Sequence, residues 1–350
     1  MKIALLCILL VFGAEMTLRL WPQAAPIQIV PDPELGFLAA PRQRQRRRSE
    51  DTTYVKETDD KGFPNREPWP ERVHIVFLGD SLVEGEGVSL DENFVGLVAQ
   101  KLPNQGVINL GLAAAGPERQ YRIYQRFGRA LQPSLVVAGW YLASDLNNDE
   151  RFHAWLHEGQ GTDYNNFRLH LFSKRRKTNQ KGSFRVKRLL NSRLYGMGQA
   201  LILRWLGKDP ARQNSLRLTN GEEIVFDKKA LEFAARAVAA DDARINALFT
   251  SLAQLRALVL SHQAELVVML IPSKEEIYGP GSATDGTSAV AHVRQRLQET
   301  HIPVVDLYPV FRERGALQSP YFSRDIHLNA YGHRIVTEQF VTWFRNHSPQ

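Results

Sequence analysis

Cysteine is almost missing from this chain. The single thiol, Cys7, lies in the N-terminal apolar run, so disulfides within the chain and cysteine-based metal sites are both excluded. Also missing is an uninterrupted apolar stretch of the ~20 residues that a spanning helix prefers. The run Ile3 to Ala14 is shorter, and Glu15 and Arg19 interrupt its extension. No acidic residue occurs from Lys174 through Arg193, and no internal repeat is visible. Gly85-Glu86-Gly87 lacks the lysine and Ser/Thr of a phosphate-binding loop. His153 and His157 share a helical face without a third ligand, so neither a metal nor a cofactor is expected. No aromatic-basic recognition motif accompanies the basic clusters, and nucleic acid is not an expected partner.

What is present could make one large domain with insertions or two smaller ones. The chain has 350 residues, 43% of them apolar, and a formal charge of +7 spread unevenly. Arg42, Arg44, Arg46, Arg47 and Arg48 form one basic cluster and Lys174 through Arg193 a second. Either is a solvated surface or a face for phosphate, anionic lipid or acidic glycan. Met1-Lys2 before the apolar run suits a signal peptide or signal-anchor over residues 1–21. Phe12-Gly13-Ala14 puts a bulky residue where cleavage wants a small one, so an uncleaved anchor is expected, with the rest on the exoplasmic or periplasmic face. Cleavage would make the protein secreted. The arginines at 42–48 argue for the opposite orientation. Residues 22–71, rich in proline and charge, read as an extended stalk, with Phe37 as the one residue expected to pack back on the main body.

From Val73 onward, strand and helix alternate. Strands are expected at Val73 to Leu78, Gly106 to Leu110, Leu135 to Tyr141, Glu265 to Ile271 and Pro303 to Leu307. Helices are expected at Asp91 to Leu102, Glu118 to Leu131, Lys228 to His262, Val290 to Glu299 and Gly332 to Asn346. Continuous apolar strands between amphipathic helices imply a mostly parallel sheet covered on both faces. The alternation lapses over residues 149–226, which read as a partly helical insertion within a domain of residues 72–347.

The first of these strands ends in Gly79-Asp80-Ser81, a turn that lifts a hydroxyl clear of the sheet's carboxyl edge, where open α/β sheets place their chemistry. Ser81 is the candidate nucleophile and His327 the candidate base. Asp325 lies close enough to orient the imidazole if the loop bends. Asp80 reads as fixing the turn, and His333 as a helix-start or packing residue. No Gly-x-Ser-x-Gly elbow occurs, so an ordinary α/β-hydrolase is not expected.

These residues fall in blocks that resemble the SGNH (GDSL-type) hydrolase family over roughly residues 72 to 346. The blocks are Gly79-Asp80-Ser81-Leu82, Asn109 to Gly116, Gly139 to Asp145, and Asp325-Ile326-His327 followed by Leu328-Asn329 and Gly332-His333. The resemblance implies a three-layer α/β/α sandwich of flavodoxin-like type, a Ser81-His327-Asp325 triad, and an oxyanion hole from Ser81, Ala114 and Ser144. Two positions depart from the family pattern: Ala114 replaces a glycine, and Ser144 replaces an asparagine, with Asn147 and Asn148 nearby. The common spacing of the acid falls on Arg324, but Asp-x-His occurs in relatives that acetylate exopolysaccharides. Val267 to Lys274 with Ile277-Tyr278 also resembles alginate acetyltransferase-like SGNH proteins; its plain reading is a buried strand ending in a proline turn. The implied activity is hydrolysis of acyl esters, with transfer to a polysaccharide or a non-catalytic assembly role as alternatives. The implied substrate is an acyl ester, including O-acetyl groups of envelope glycans.

Overall fold

The computed structural model describes residues 27–159, 161–168, 215–226, 230–232, 234–235, 241–279 and 289–347. The expected N-terminal anchor and the basic run from Lys174 to Arg193 lie outside these residues. Among the described residues, no helix is long and apolar enough to cross a membrane.

Five strands form a wholly parallel sheet: β5 (Ile75–Leu78), β6 (Val107–Asn109), β7 (Leu135–Trp140), β10 (Glu265–Leu270) and β11 (Val304–Asp306). Their spatial order is β11-β10-β7-β5-β6. Numbered along the sheet domain alone this is the doubly wound order 2-1-3-4-5, with its switch point between β5 and β7. Every residue of β5 and β7 is buried, because helices cover both faces. Val76, Leu78, Val136, Ala138 and Val268 join one core cluster; Ile75, Phe77, Val137, Val267 and Met269 join the other. This is the expected α/β/α sandwich.

Helices α1 (Ser81–Glu84), α2 (Phe94–Lys101), α3 (Pro117–Ile123) and α4 (Leu142–Glu158) follow the first three sheet strands. Then come α5 (Asp242–Leu260), α6 (Lys274–Tyr278), α7 (Ala289–Thr300), α8 (Tyr308–Gly315) and α9 (Ala330–His347). The single helix expected from Lys228 has a fresh start at Asp241, whose side chain accepts from the N–H of Arg244 and caps α5.

Two expectations need correction. Residues 27–71 are not an extended stalk but two antiparallel hairpins, β1 (Ile29–Asp32) with β2 (Gly36–Ala39) and β3 (Arg44–Arg48) with β4 (Thr53–Glu57). Leu35, Phe37 and Phe63 are buried in the main core, so this segment shares the domain's hydrophobic stabilisation. Residue 149 is also not a boundary. Helix α4 runs through it, with Asp149, Phe152 and Trp155 buried, and a short hairpin of β8 (Ser215–Arg217) and β9 (Glu223–Val225) closes the insertion.

Candidate active site

The site lies at the carboxyl edge of the sheet, at the switch point. Chain leaving β5 turns at Gly79, where a Cβ would come within 2.1 Å of Val83 Cγ2, so only glycine fits. Asp80 caps α1 by accepting from the N–H of Leu82 at 2.9 Å, which places Ser81 at the first helical position. Gly85 ends α1 at φ +87°, a left-handed conformation that suits glycine.

His327 and Asp325 come from the loop between Tyr321 and α9. An isolated bridge, Tyr321 to Leu328, closes that loop, and the N–H of Phe322 donates to the carbonyl of His327 at 3.1 Å. Asn329 pins the exit by donating to the carbonyls of Ser319 and Tyr321 and accepting from the N–H of Gly332. Within the loop Asp325 Oδ1 accepts from the backbone N–H of His327 at 2.9 Å and lies 2.5 Å from His327 Nδ1. One bent Asp-x-His turn therefore brings the carboxylate to its own imidazole. His327 Nε2 is 2.9 Å from Ser81 Oγ. With Nδ1 protonated toward Asp325, Nε2 presents its lone pair to the hydroxyl hydrogen.

The electrostatics match this arrangement. Burial opposes charge on His327, but the hydrogen bond and charge of Asp325, with Glu86 and Asp80 nearby, raise its pKa above the ordinary 6.5. Burial would raise Asp325; the imidazole contacts and the Lys274 charge outweigh it and hold the carboxyl down at about 2.

The expected oxyanion residues separate. The N–H groups of Ser81 and Ala114 have no acceptor among the described residues, so both are available. Ala114 adopts φ +58°, the left-handed region that a glycine would enter freely. Ser144 does not join them. Its hydroxyl donates to Asp80 Oδ2 at 2.7 Å and accepts from Asn148 Nδ2 at 3.4 Å, so its one hydrogen is already committed. Asn147 Nδ2 donates to the carbonyl of Ala143. Ser144 thus ties α4 to the cap of α1, and of the three expected groups the N–H groups of Ser81 and Ala114 remain.

Several contributors lie outside the family blocks. Arg119, fully buried on α3, donates to the carbonyls of Ala113 at 3.1 Å, Ala114 at 3.0 Å and Phe37 at 3.2 Å. Its guanidinium lies 4.5 Å from the centre of the Phe37 ring, and burial lowers its pKa to about 10. Lys56 on β4 reaches Glu84 at 2.8 Å and also pairs with Glu86, while the Tyr54 hydroxyl donates to Glu86. The second hairpin is thereby bolted to α1 and the turn after it. A buried arginine and a charged hairpin leave no hydrophobic period, and only the proximity of basic and acidic runs hints at the latter.

Asp80 is buried in the turn, where it accepts from the Leu82 N–H and the Ser144 hydroxyl, in line with its expected role of fixing the turn. His333 is buried on α9, where Nδ1 accepts from the N–H of Phe94 at 3.1 Å. His153 faces Asp149 at 3.4 Å, and no group of three or more metal-binding side chains occurs among the described residues.

Residues 231–349 match the family model described as "SGNH hydrolase-like domain, acetyltransferase AlgX", a stretch that contains Asp325 and His327 but not Ser81. No curated protein matches the chain in sequence. Similar solved structures include a lipolytic protein of the G-D-S-L family from Veillonella parvula DSM 2008, at 12% identity and TM-score 0.41, covering 78% of this chain and 98% of that one. Another is a putative acylhydrolase from Bacteroides fragilis NCTC 9343, at 13% identity and TM-score 0.38, covering 81% and 90%. A third is the acetyl xylan esterase AlAXEase, at 12% identity and TM-score 0.39, covering 77% and 99%.

Proposed function

We propose that this SGNH hydrolase-like chain is a serine acyl-ester enzyme that works through Ser81, His327 and Asp325. The observation that carries the reading is the unbroken path from Ser81 Oγ to His327 Nε2 at 2.9 Å and from His327 Nδ1 to Asp325 at 2.5 Å. In the acylation step Ser81 Oγ attacks the ester carbonyl as His327 Nε2 takes its proton, and Asp325 steadies the imidazolium. Charge gathering on the carbonyl oxygen is met by the N–H groups of Ser81 and Ala114. Collapse breaks the bond to the alcohol, which leaves with the proton from His327. The acyl-serine is then discharged by an acceptor hydroxyl activated in the same way.

Water as acceptor gives hydrolysis and a sugar hydroxyl gives transfer. The transfer reading is favoured by the acetyltransferase description of the family model over the segment holding the base and the acid. We assign O-acetyl groups of envelope glycans as the substrate class, and an N-terminally anchored, exoplasmic location for the enzyme. A non-catalytic assembly role is the competing reading, and the two-donor oxyanion hole is what favours it.

Reaction with an alkyl fluorophosphonate separates these readings. The catalytic protein labels at Ser81 and turns over p-nitrophenyl acetate, and Ser81→Ala, folded as judged by its melting curve, does neither. A wild-type protein that resists the probe, or a Ser81→Ala variant that keeps its turnover, sinks the proposal.

A further inference from the structure

The loop that carries the acid belongs to no helix and, apart from one bridge, to no strand, yet its backbone is gripped from two sides by charged groups. On one side is Lys274, the first residue of α6, fully buried. Its Nζ lies 2.8 Å from the carbonyl oxygen of Asp325, 3.2 Å from that of Ser323, 3.4 Å from that of Phe322 and 2.9 Å from that of Val225. An ammonium has three hydrogens, so these four acceptors share them at one point in space. The lysine is itself held firmly. It follows the buried end of β10, and Ser273 before it forms a reciprocal capping box with Glu276.

The other side belongs to the N-terminal hairpin. Asp51, in the turn between β3 and β4, accepts with Oδ2 from the N–H groups of Arg324 and Asp325, each at 3.0 Å. Asp325 therefore has its own N–H bound by an anion and its own carbonyl bound by a cation. With both ends of its backbone fixed, side-chain rotation is the main freedom left to the carboxylate, and the turn to His327 uses it. Charge-assisted hydrogen bonds of this kind are roughly twice as strong as neutral ones, which suits the fixing of an otherwise irregular segment.

We propose that Lys274 and Asp51 are positioning residues for the acid, holding the Asp325 backbone between them so that its carboxylate meets His327 Nδ1. The inference rests on the Ser81-His327-Asp325 reading. Neither residue touches substrate or exchanges a proton in the reaction. Both lie far in sequence from Asp325, one in the segment expected to be a stalk.

The test follows the rate of Ser81 labelling by an alkyl fluorophosphonate against pH in the full chain, with a melting curve for each variant. The charged groups facing His327 are Asp325, Glu86 and Asp80, with His333 beyond. Lys274→Met and Asp51→Ala are expected to label about 10- to 100-fold more slowly, as misplacement of a reacting constellation by about 1 Å costs. Their acid limb moves to lower pH, because an imidazole that loses its carboxylate is protonated less readily. Asp51→Asn, which keeps an acceptor oxygen, stays within about threefold of wild type, as conservation of a hydrogen bond predicts. Loss of the Lys274 charge alone would push the limb upward, so the sign distinguishes positioning from a purely electrostatic effect. An upward or unmoved limb, or wild-type labelling rates in both variants, overturns the proposal. Should Lys274→Met fail to fold, the Asp51 pair decides: equal rates for Ala and Asn overturn it, and rescue by Asn upholds it. A wild type that does not label removes the underlying catalytic reading, and this inference falls with it.

Discussion

Arg119 donates to the carbonyl oxygen of Ala114 at 3.0 Å, and Ala114 is itself held at φ +58°. Arg119 also donates to the carbonyl of Ala113, which shares a peptide with the Ala114 N–H, so the buried guanidinium fastens the peptides on both sides of this left-handed residue. A non-glycine residue in that region costs about 1 kcal/mol, and the hydrogen bonds from Arg119 offset it. Ala114→Gly is expected to leave esterase activity within about threefold of wild type and to change stability by less than about 1 kcal/mol, since relief of strain opposes the greater freedom of the unfolded chain. Arg119→Met leaves the Ala113, Ala114 and Phe37 carbonyls short of a donor; it is expected to cost about 3 kcal/mol in denaturant unfolding. Retention of full stability in Arg119→Met would show that the clamp is not needed.

Ser144 gives a sharper contrast. Were its hydroxyl an oxyanion donor, Ser144→Ala would lower kcat by about 10²–10³. Because the hydrogen goes to Asp80 instead, we expect kcat to fall less than about tenfold and stability to fall by about 1–3 kcal/mol, the usual effect of leaving a buried acceptor short of a donor. Steady-state kinetics beside urea unfolding reads both numbers.

The pH dependence follows from His327. The proposed mechanism needs the neutral imidazole, and its neighbours hold its pKa above 6.5. The acid limb of kcat/KM is therefore expected at an apparent pKa above 6.5, with activity lost as pH falls through it. Asp325→Asn removes the charge that raises it, so the limb of the residual activity shifts downward. A limb unmoved by that substitution would mean that another group titrates.

His333 gives a stability signature of its own. Burial, with a small contribution from His327, lowers its pKa to about 3. The unfolded chain takes up that proton near 6.5 and the folded chain does not. The stability this group allows is present above pH 6.5 and declines as pH falls below it. The decline is about 1.4 kcal/mol per pH unit. His327, with its raised pKa, acts in the opposite direction and above pH 6.5, where its contribution is lost as pH rises through the folded value. The comparison that isolates His333 is with His333→Gln, which keeps an acceptor for the Phe94 N–H. Unfolding free energies of the two proteins should diverge between pH 7 and 5, with the wild type losing more. Parallel curves would count against the assignment.

Much of this could be read from the chain. β5, β7 and β10 are continuous apolar runs, which a sheet covered on both faces demands. Ser81 and the Asp325-Ile326-His327 turn are local motifs, so their residues showed as candidates even though only folding could bring them together. The second hairpin was hidden because β3 is Arg-Gln-Arg-Arg-Arg. Arg44, Arg46 and Arg48 face solvent while the inward Arg47 approaches Glu86, leaving no apolar alternation. Ser144 was misread for a related reason: a hydroxyl's single hydrogen can go to only one partner, and the sequence does not say which. Lys274 and Asp51 act on backbone atoms, which have no sequence signature.

The distance along the chain between Ser81 and His327, 246 residues, also sets an order of events during synthesis. On the proposed mechanism, a nascent chain that has passed Ser81 but not yet His327 carries the alcohol without its base, and so carries it inert. On the same reading, reactivity arrives only when the loop holding His327 and helix α9 have docked, which ties the onset of the proposed chemistry to the folding of the far side of the sheet domain.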